Sequence, residues 1–196
     1  GSFTTYNGTT INRLARITRT GSLDATFTPG TGADGQVTAI ALDPTGRILI
    51  GGTFANYNGV SRPGVARLNN DGTLDATFST GTGITGGVVS ALAIQSDGRI
   101  ILAGTFTGYN GSTANRVVRL ATNGAIDATF SVGTGANAAV YALALDASGR
   151  AVIGGGFATV NGTSRPGIAR LTTTGAVDPA FNPGTGANNS LFAVTH

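Results

Sequence analysis

The sequence predicts an all-β protein built from tandem repeats, and three observations support this. A segment of the form Gly-x-Phe-x-x-Tyr-Asn-Gly, with Val in place of Tyr in the last copy, recurs at spacings of 51, 52 and 51 residues, at Gly1–Gly8, Gly52–Gly59, Gly104–Gly111 and Gly155–Gly162. Short runs rich in Val, Ile, Thr and Phe are separated by glycines, as in strands and turns. No stretch of about ten residues or more has the period of an amphipathic helix.

Each repeat is predicted to contain four strands, which we name A to D. In the second copy they are Val37–Asp43, Arg47–Ile50, Gly64–Leu68 and Leu74–Phe78. A tight turn joins A to B and another joins C to D, and each has glycine where a three-residue hairpin loop needs a left-handed residue. The B–C loop contains the Tyr-Asn-Gly motif, and the D–A loop contains a Gly-Thr-Gly motif.

The predicted hairpin register pairs arginine with aspartate in every copy. Across the C–D hairpins the pairs are Arg16–Asp24, Arg67–Asp75, Arg119–Asp127 and Arg170–Asp178; across the A–B hairpins they are Arg47–Asp43 and Arg150–Asp146. Six of the nine aspartates are therefore placed opposite an arginine. We expect exposed pairs of about 0.2–1 kcal/mol each, which mark the register more than they stabilise the fold.

A four-stranded antiparallel unit of about 50 residues, repeated in tandem, is typical of a β-propeller blade. A β-sandwich would not need four copies of one unit, and a β-solenoid would use shorter rungs. The sequence therefore predicts a β-propeller built from four-stranded antiparallel blades.

The motifs also resemble a known repeat family. The second copy reads Val-x-Ala-Ile-Ala-Leu-Asp-Pro-x-Gly-Arg-Ile-Leu-Ile-Gly-Gly-Thr-Phe over Val37–Phe54 and Ala-Arg-Leu-Asn-x-Asp-Gly-Thr-Leu-Asp-Ala-Thr-Phe over Ala66–Phe78. This pattern, which recurs along essentially the whole chain, resembles the delta-60 repeat. The resemblance implies a propeller-type domain of large, mostly bacterial, exported or surface proteins, and it implies no catalytic residues. Arrays of this family usually have more than four copies, and this sequence departs from that pattern with four.

The two ends of the chain fall inside predicted strands. The chain begins in strand B, at Gly1, and ends in strand A, at Ser190–Val194. We therefore expect one domain over residues 1–196, with three complete blades and a closing blade split between the N- and C-termini. Two alternatives are a piece of a longer array and an eight-bladed ring made by two copies.

The long loops are the predicted binding face, because long loops on a rigid scaffold usually carry binding. Each B–C loop contains one arginine, and three of the loops contain a tyrosine; the candidate ligand-binding residues are Arg13, Arg62, Arg116, Arg165, Tyr6, Tyr57 and Tyr109. With Asp34 as the one opposing charge, this face would carry the whole formal charge of +3. Such residues suit sugar or anionic ligands. The alternative is that the arginines satisfy backbone carbonyls and that Tyr-Asn-Gly is turn and packing chemistry.

Composition disfavours most enzyme classes. Cysteine, lysine and glutamate are absent, and the single histidine is the last residue, His196, which we interpret as a tag or truncation remnant. We expect no metal, no cofactor, no specific nucleic acid and no membrane insertion. The expected function is a non-enzymatic extracellular module, an adhesive or structural repeat of a secreted or surface protein of a bacterium. The alternative is a propeller that binds polysaccharide or another anionic surface polymer; self-association is a further expectation, and an aspartate-based enzyme is a third hypothesis.

Overall fold

The computed structural model describes residues 1–195, and His196 lies outside them. Within these residues the regular structure consists of short strands and no helix is assigned. The strands are β1 Thr5–Tyr6, β2 Thr9–Thr10, β3 Val37–Leu42, β4 Ile48–Gly52, β5 Asn56–Tyr57, β6 Val60–Ser61, β7 Val65–Leu68, β8 Ile84–Thr85, β9 Val89–Ile94, β10 Ile100–Gly104, β11 Gly108–Tyr109, β12 Ser112–Thr113, β13 Val117–Leu120, β14 Val140–Leu145, β15 Ala151–Gly155, β16 Thr159–Val160, β17 Thr163–Ser164 and β18 Ile168–Leu171.

The predicted strands A, B and C form one antiparallel sheet in each of the last three repeats. The sheets are β3-β4-β7, β9-β10-β13 and β14-β15-β18. The register matches the tight turns, since Leu42 pairs with Ile48 across the A–B turn. Glycine has φ +83° at Gly46 and φ +89° at Gly72, the left-handed conformation that both hairpin loops require. These turns are as the sequence predicts.

Strand D is shorter than the sequence predicts. After each C–D turn a single residue pairs with strand C, as Leu74 does with Leu68. The next residue is an aspartate, and Asp75 Oδ1 accepts hydrogen bonds from the N–H and the hydroxyl of Thr77 at 2.9 and 2.6 Å. These local bonds compete with a sheet ladder and turn the chain, so that the Phe78 N–H donates to the Asp75 carbonyl. The predicted four-stranded sheet is corrected to three strands and one bridge.

The B–C connection is a folded hairpin. Its short strands are β1–β2, β5–β6, β11–β12 and β16–β17. The turn of each hairpin is Asn-Gly with both residues at positive φ, as at Asn58 (φ 47°) and Gly59 (φ 75°), which is the favoured geometry for a two-residue loop. The D–A segment that contains Gly-Thr-Gly and continues to the next strand A, which we call the connector, pairs with the hairpin of the following repeat, as β8 does with β11.

The hydrophobic core lies between successive repeats. Leu49 and Val65 of repeat 2 pack with Leu102, Phe106 and Leu120 of repeat 3. Equivalent clusters join repeats 1 and 2 and repeats 3 and 4. Burial of each large side chain stabilises by about 1.5–3 kcal/mol. Each repeat therefore depends on its neighbours for most of its apolar burial, as is usual in repeat proteins.

The six predicted ion pairs are all present, which confirms the hairpin register. Their Nε–Oδ2 distances are 2.6–2.8 Å. Arg67 and Asp75, however, are each only 5% exposed, and Arg119 is 3% exposed. The Arg67 guanidinium lies over the Phe78 ring and donates to the carbonyl of Thr122 in the next repeat. The expectation of exposed pairs is wrong for these two repeats, because an arginine from the A–B turn and the following repeat together cover them.

The two ends of the described chain make equivalent contacts with the strand next to them. The Val37 N–H donates to the carbonyl of Gly1, and the Leu191 N–H donates to the carbonyl of Gly155, each at 3.1 Å. Gly1 and Gly155 occupy the same place in their repeats, so both ends keep the contact that joins strand A to the preceding repeat. Within residues 1–195, no sheet or hydrogen bond joins residues 1–36 to residues 182–195.

Candidate functional site

The four candidate arginines belong to two classes that alternate along the chain. Arg13 and Arg116 have φ of +64° and +68°, in the left-handed region that favours glycine. Repeats 2 and 4 have glycine at this place, and Gly64 and Gly167 both have φ +75°. Each repeat has one loop arginine, but its position differs between odd and even repeats.

Arg13 and Arg116 join their own repeat to the following connector. Arg13 Nη1 donates to the carbonyl of Ala33 at 2.8 Å, and Arg116 Nη1 donates to that of Ala136 at 2.7 Å. The preceding asparagines add bonds of the same kind, from Asn12 Nδ2 to Thr31 O at 2.9 Å and from Asn115 Nδ2 to Thr134 O at 3.0 Å. These side chains are half-buried. They satisfy backbone carbonyls, as the alternative interpretation of the sequence supposed.

The side chains of Arg62 and Arg165 bond only within their own hairpin. Each donates from Nη1 to the carbonyl of the residue before it, Ser61 or Ser164, at 2.8 Å. The Nε atom of each is buried without a hydrogen-bond partner. A buried guanidinium N–H without an acceptor is costly, but an external polymer cannot reach an atom that is closed to solvent. An anionic ligand could contact only the outer nitrogens of these half-buried side chains.

The tyrosines do not present their rings to a ligand. Tyr57 and Tyr109 are fully buried, and their hydroxyls donate to the carbonyls of Gly72 and Gly124 in the C–D turn, at 2.8 and 2.5 Å. Burial raises the pKa of both phenols above the ordinary value. Tyr6 is half-buried and makes the same bond to Gly21. The expected ligand-binding role does not fit Tyr57 or Tyr109, because the hairpin folds back over its own repeat and buries both rings.

A polar cleft lies beside Arg13, between the first two repeats. Its volume is about 480 Å³, and Asn12, Arg13, Asp34 and Asn56 line it together with the backbone of the connector. Asp34 accepts hydrogen bonds from the Ala55 N–H at 2.8 Å and from the Asn56 N–H at 2.9 Å. These bonds, the Asn56 backbone bond above all, lower the pKa of Asp34. The cleft thus combines a guanidinium, an ionised carboxylate and amides, which are groups that bind sugar hydroxyls.

The other carboxylates are engaged in structural contacts. Hydrogen bonds and arginine neighbours outweigh the effect of burial and lower the pKa of Asp24, Asp43, Asp71, Asp75, Asp127, Asp146 and Asp178. Asp97 accepts the Arg99 N–H at 3.0 Å. Within residues 1–195, no three His, Cys, Asp or Glu side chains lie close enough together to hold a metal ion. In the same part of the chain, no helix has the length and apolar character needed to cross a membrane.

Sequence reasoning missed the asparagines of the cleft. Asn12 and Asn115 each precede an arginine of the first class, whereas the even repeats read Arg-Pro-Gly at Arg62–Gly64 and Arg165–Gly167. Comparing the repeats in pairs would have shown this alternation. No sequence signal identifies Asn56 as a residue of the cleft, because its contact with Asp34 depends on how the connector crosses the hairpin.

Repeated units with three-stranded antiparallel sheets, packed face to face through shared cores, define a protein of the β-propeller class. A family model described as "Domain of unknown function (DUF5122) beta-propeller" matches four segments, residues 1–27, 44–78, 95–130 and 147–181. These segments make up more than half of the chain, and the chain belongs to this family. They cover strands B to D of each repeat and leave out strand A and most of each connector. No curated protein matches the chain.

Proposed function

We propose that the chain is a non-enzymatic β-propeller module that serves as a structural or adhesive repeat of a secreted or surface protein of a bacterium. The observation that supports this most is the use of the charged side chains. In each of repeats 1 to 3 the arginine of the C–D pair binds its aspartate, covers a phenylalanine ring and donates to the next repeat. These arginines are Arg16, Arg67 and Arg119. These groups hold neighbouring repeats together.

The state of the carboxylates supports the same proposal. A general acid at neutral pH needs a raised pKa and a free proton-transfer path. The aspartates here have lowered pKa values or are bonded to the adjacent backbone. Apart from Asp34, which accepts from Ala55 and Asn56 of the next repeat, they bond to groups of their own repeat, which suits a scaffold.

The proposal also includes the number and arrangement of the blades. We infer four blades, with the closing blade made from an N-terminal part and a C-terminal strand A, and we keep the delta-60 resemblance as the narrower assignment. Two contacts favour the split blade. The hairpin β1–β2 and the Ile17–Leu23 bridge give repeat 1 its outer strands, while Leu191 bonds to Gly155 as a strand A does.

A second candidate function is binding of a polysaccharide or another anionic surface polymer at the loop face. The half-buried guanidinium groups of Arg62 and Arg165, whose side chains bond only to the preceding carbonyl, and the cleft beside Arg13 favour it. With a formal charge of only +3, binding would be weak and would fall with salt, since the Debye length is about 8 Å at physiological ionic strength.

A glycan array, followed by a dextran sulfate column run at rising salt, separates the two candidates. A structural module is expected to show no saturable binding to any glycan. For the second candidate, Arg62→Ser with Arg165→Ser should abolish retention on dextran sulfate, and Arg19→Ser, which is exposed on the C–D turn, is the matched control. Saturable glycan binding that is lost in the double variant would overturn the structural proposal. Equal retention of the wild type and the double variant would remove the second candidate.

A further inference from the structure

A cavity lies between repeats 3 and 4, at the end of the sheets where the tight turns are. Its volume is about 440 Å³. The A–B turns of both repeats, at 95–97 and 147–149, and the C–D turn of repeat 4, at 173–174, line it together with Arg119. Its lining therefore differs from that of the loop face and from that of the cleft beside Arg13. Cavities of about 300–1,000 Å³ are of the size that holds small ligands.

One residue distinguishes the A–B turn of repeat 3 from the other two. Repeats 2 and 4 begin this turn with Asp43 and Asp146, whereas repeat 3 has Gln95 there. Asp43 Oδ2 accepts from Nε of Arg47, the arginine that ends the turn, at 2.7 Å, and the equivalent distance in repeat 4 is 2.6 Å. The neutral Gln95 cannot neutralise the corresponding arginine of repeat 3, Arg99.

Gln95 instead forms the floor of the cavity and joins the two repeats. It is buried, and its Nε2 donates to the carbonyl of Gly149, in the A–B turn of repeat 4, at 2.7 Å. Its Oε1 accepts from Nη1 of the buried Arg119 at 3.3 Å. Arg119 also donates to the carbonyl of Thr173 at 2.7 Å. Two buried polar side chains therefore hold the turns of both repeats in place around the cavity.

Arg99 and Asp97 place opposite charges on the exposed side of the cavity. Their side chains are 41% and 52% exposed, and Asp97 Oδ2 lies 3.5 Å from Arg99 Nη1. A second carboxylate, Asp127, is 3.4 Å from Arg99 Nε, but Arg119 already binds it at 2.8 Å. Charge-assisted hydrogen bonds of this type are about 2.7–2.9 Å long, and exposed ion pairs are weak. The charges of Arg99 and Asp97 are therefore both available to a ligand.

The charges around the cavity balance, which favours a ligand without net charge. Arg99 and Arg119 oppose Asp97 and Asp127, two positive and two negative groups. An anion at Arg99 would also meet the Asp97 carboxylate, and a cation at Asp97 would meet the guanidinium, and like charges repel at such distances. A ligand that carries both charges close together avoids both repulsions. Exposed hydroxyl groups also line the cavity, at Ser96, Ser148 and Thr173.

We propose that this cavity binds a small zwitterion of the α-amino-acid class. The ligand carboxylate accepts from the Arg99 guanidinium, in the bidentate geometry that this group favours, and the ligand ammonium donates to Asp97. Both charged groups of an α-amino acid are attached to one carbon, so their separation is comparable with the 3.5 Å between Arg99 and Asp97. The surrounding hydroxyls favour a small polar side chain such as that of serine. This site goes beyond the proposed structural function and does not depend on it.

Titration of the chain with L-serine, followed through the backbone amide signals by NMR, tests the proposal. Saturable shifts are expected at residues 95–99, 147–149 and 173–174, with a dissociation constant of about 1 mM, as suits a ligand of few atoms. Two analogues each lack one charge: ethanolamine has no carboxylate, and 3-hydroxypropionate has no ammonium. Each should bind about tenfold more weakly than L-serine or worse, because it leaves one of the two charges of the site without a partner.

Two substitutions test the residues of the site. Arg99→Ser removes the guanidinium, and Gln95→Asp introduces the residue of repeats 2 and 4, which should bind Arg99 as Asp43 binds Arg47. Each should weaken L-serine binding about tenfold or more. Arg19→Ser is the matched control, because Arg19 is exposed on the C–D turn of repeat 1, and it should bind as the wild type does. Far-UV circular dichroism identifies a variant that has not folded; Arg99→Ser, at an exposed side chain, carries the test if Gln95→Asp unfolds.

Four outcomes would overturn the proposal. They are L-serine shifts that do not saturate, equal affinity for L-serine and either analogue, wild-type affinity in Arg99→Ser, and loss of binding in Arg19→Ser. Equal binding of 3-hydroxypropionate would mean that the cavity is a carboxylate site only. Absence of L-serine binding leaves the proposed structural function standing, because that function is tested on glycans and dextran sulfate.

Discussion

The same arginine–aspartate–phenylalanine cluster is buried in the middle of the chain and partly exposed in its first repeat. The side chains of Arg67 and Asp75 are 6% and 7% exposed, whereas those of Arg16 and Asp24 are 31% and 26% exposed. The Nε–Oδ2 distance is 2.8 Å in both pairs. Identical local chemistry therefore gives two different environments.

The difference comes from neighbouring strands. Asp75 has a second arginine, Arg47, at 3.7 Å, which comes from the A–B turn of the same repeat. Arg99 and Arg150 do the same for Asp127 and Asp178. In the described part of the chain no A–B turn lies beside the first repeat, and within residues 1–195 the ion-pair partner of Asp24 is Arg16. The energy of a cluster therefore depends on the completeness of its repeat more than on its own sequence.

Acid should have the largest effect, because it acts on every cluster. Burial alone would raise the pKa of Asp43, but hydrogen bonds from Thr45 and Arg47 outweigh it and lower the pKa to about 2. A carboxylate with a lowered folded-state pKa contributes stability above the unfolded value, 3.8, and loses it as the pH falls through the folded value. We expect the free energy of unfolding to be level from about pH 7 to 5 and to fall steeply below about pH 4.

Urea unfolding followed by circular dichroism at a series of pH values measures this. Asp24→Asn and Asp75→Asn each remove one carboxylate whose pKa is lowered, so the fall in stability below about pH 4 should become less steep in both variants, and more so for the buried Asp75. Stability that is unchanged down to pH 2 would show that the aspartates are not held as ionised partners.

Removing one buried carboxylate should have the next largest effect. Asp75→Asn leaves the buried Arg67 guanidinium without its counter-ion, and breaking a buried pair costs about 3 kcal/mol or more. Asp24→Asn is the matched variant of the first repeat, and we expect a much smaller loss because water reaches that pair. Equal losses in the two variants, measured from urea midpoints, would contradict the comparison between inner and end clusters.

Loss of one buried hydroxyl should have an intermediate effect. Tyr109→Phe leaves the buried carbonyl of Gly124 without its 2.5 Å hydrogen bond, and we expect a loss of about 1–2 kcal/mol. Tyr6→Phe in the first repeat should cost less, because Tyr6 is half-buried and water can replace it. Repeat 4 has Val160 at this place and folds without the bond. A larger loss for Tyr6→Phe than for Tyr109→Phe would show that the end repeat is the better packed of the two.

Much of the fold could be predicted from the sequence, because local signals determine it. Glycine fixed the tight turns, and the recurring Arg and Asp fixed the register, so that pairs such as Arg67–Asp75 form where expected. Burial of that pair could not be predicted, since it depends on Thr122 of the next repeat, 55 positions away. The candidate site was less predictable. Tyr57 is a packing residue because its hairpin folds back, and no local pattern encodes that direction.

The smallest effect is expected where strain and a hydrogen bond oppose each other. Arg116 has φ +68°, and a left-handed residue other than glycine costs about 1–3 kcal/mol. Its bond to the Ala136 carbonyl, at 2.7 Å, contributes about 1 kcal/mol. Arg116→Gly, which copies Gly64 and Gly167 of the even repeats, should therefore change the free energy of unfolding by about 1 kcal/mol or less.

Arg13→Gly provides the comparison with the end repeat, since Arg13 makes the same bond to Ala33 at 2.8 Å. Both variants should melt near the wild type, and hydrogen exchange at the connectors should quicken, because each loses the donor that anchors it. A loss of several kcal/mol in Arg116→Gly alone would mean that this guanidinium holds the inner junction together. A near-neutral result in both allows a binding assay on these variants to report on ligand contact, since the fold is then unchanged.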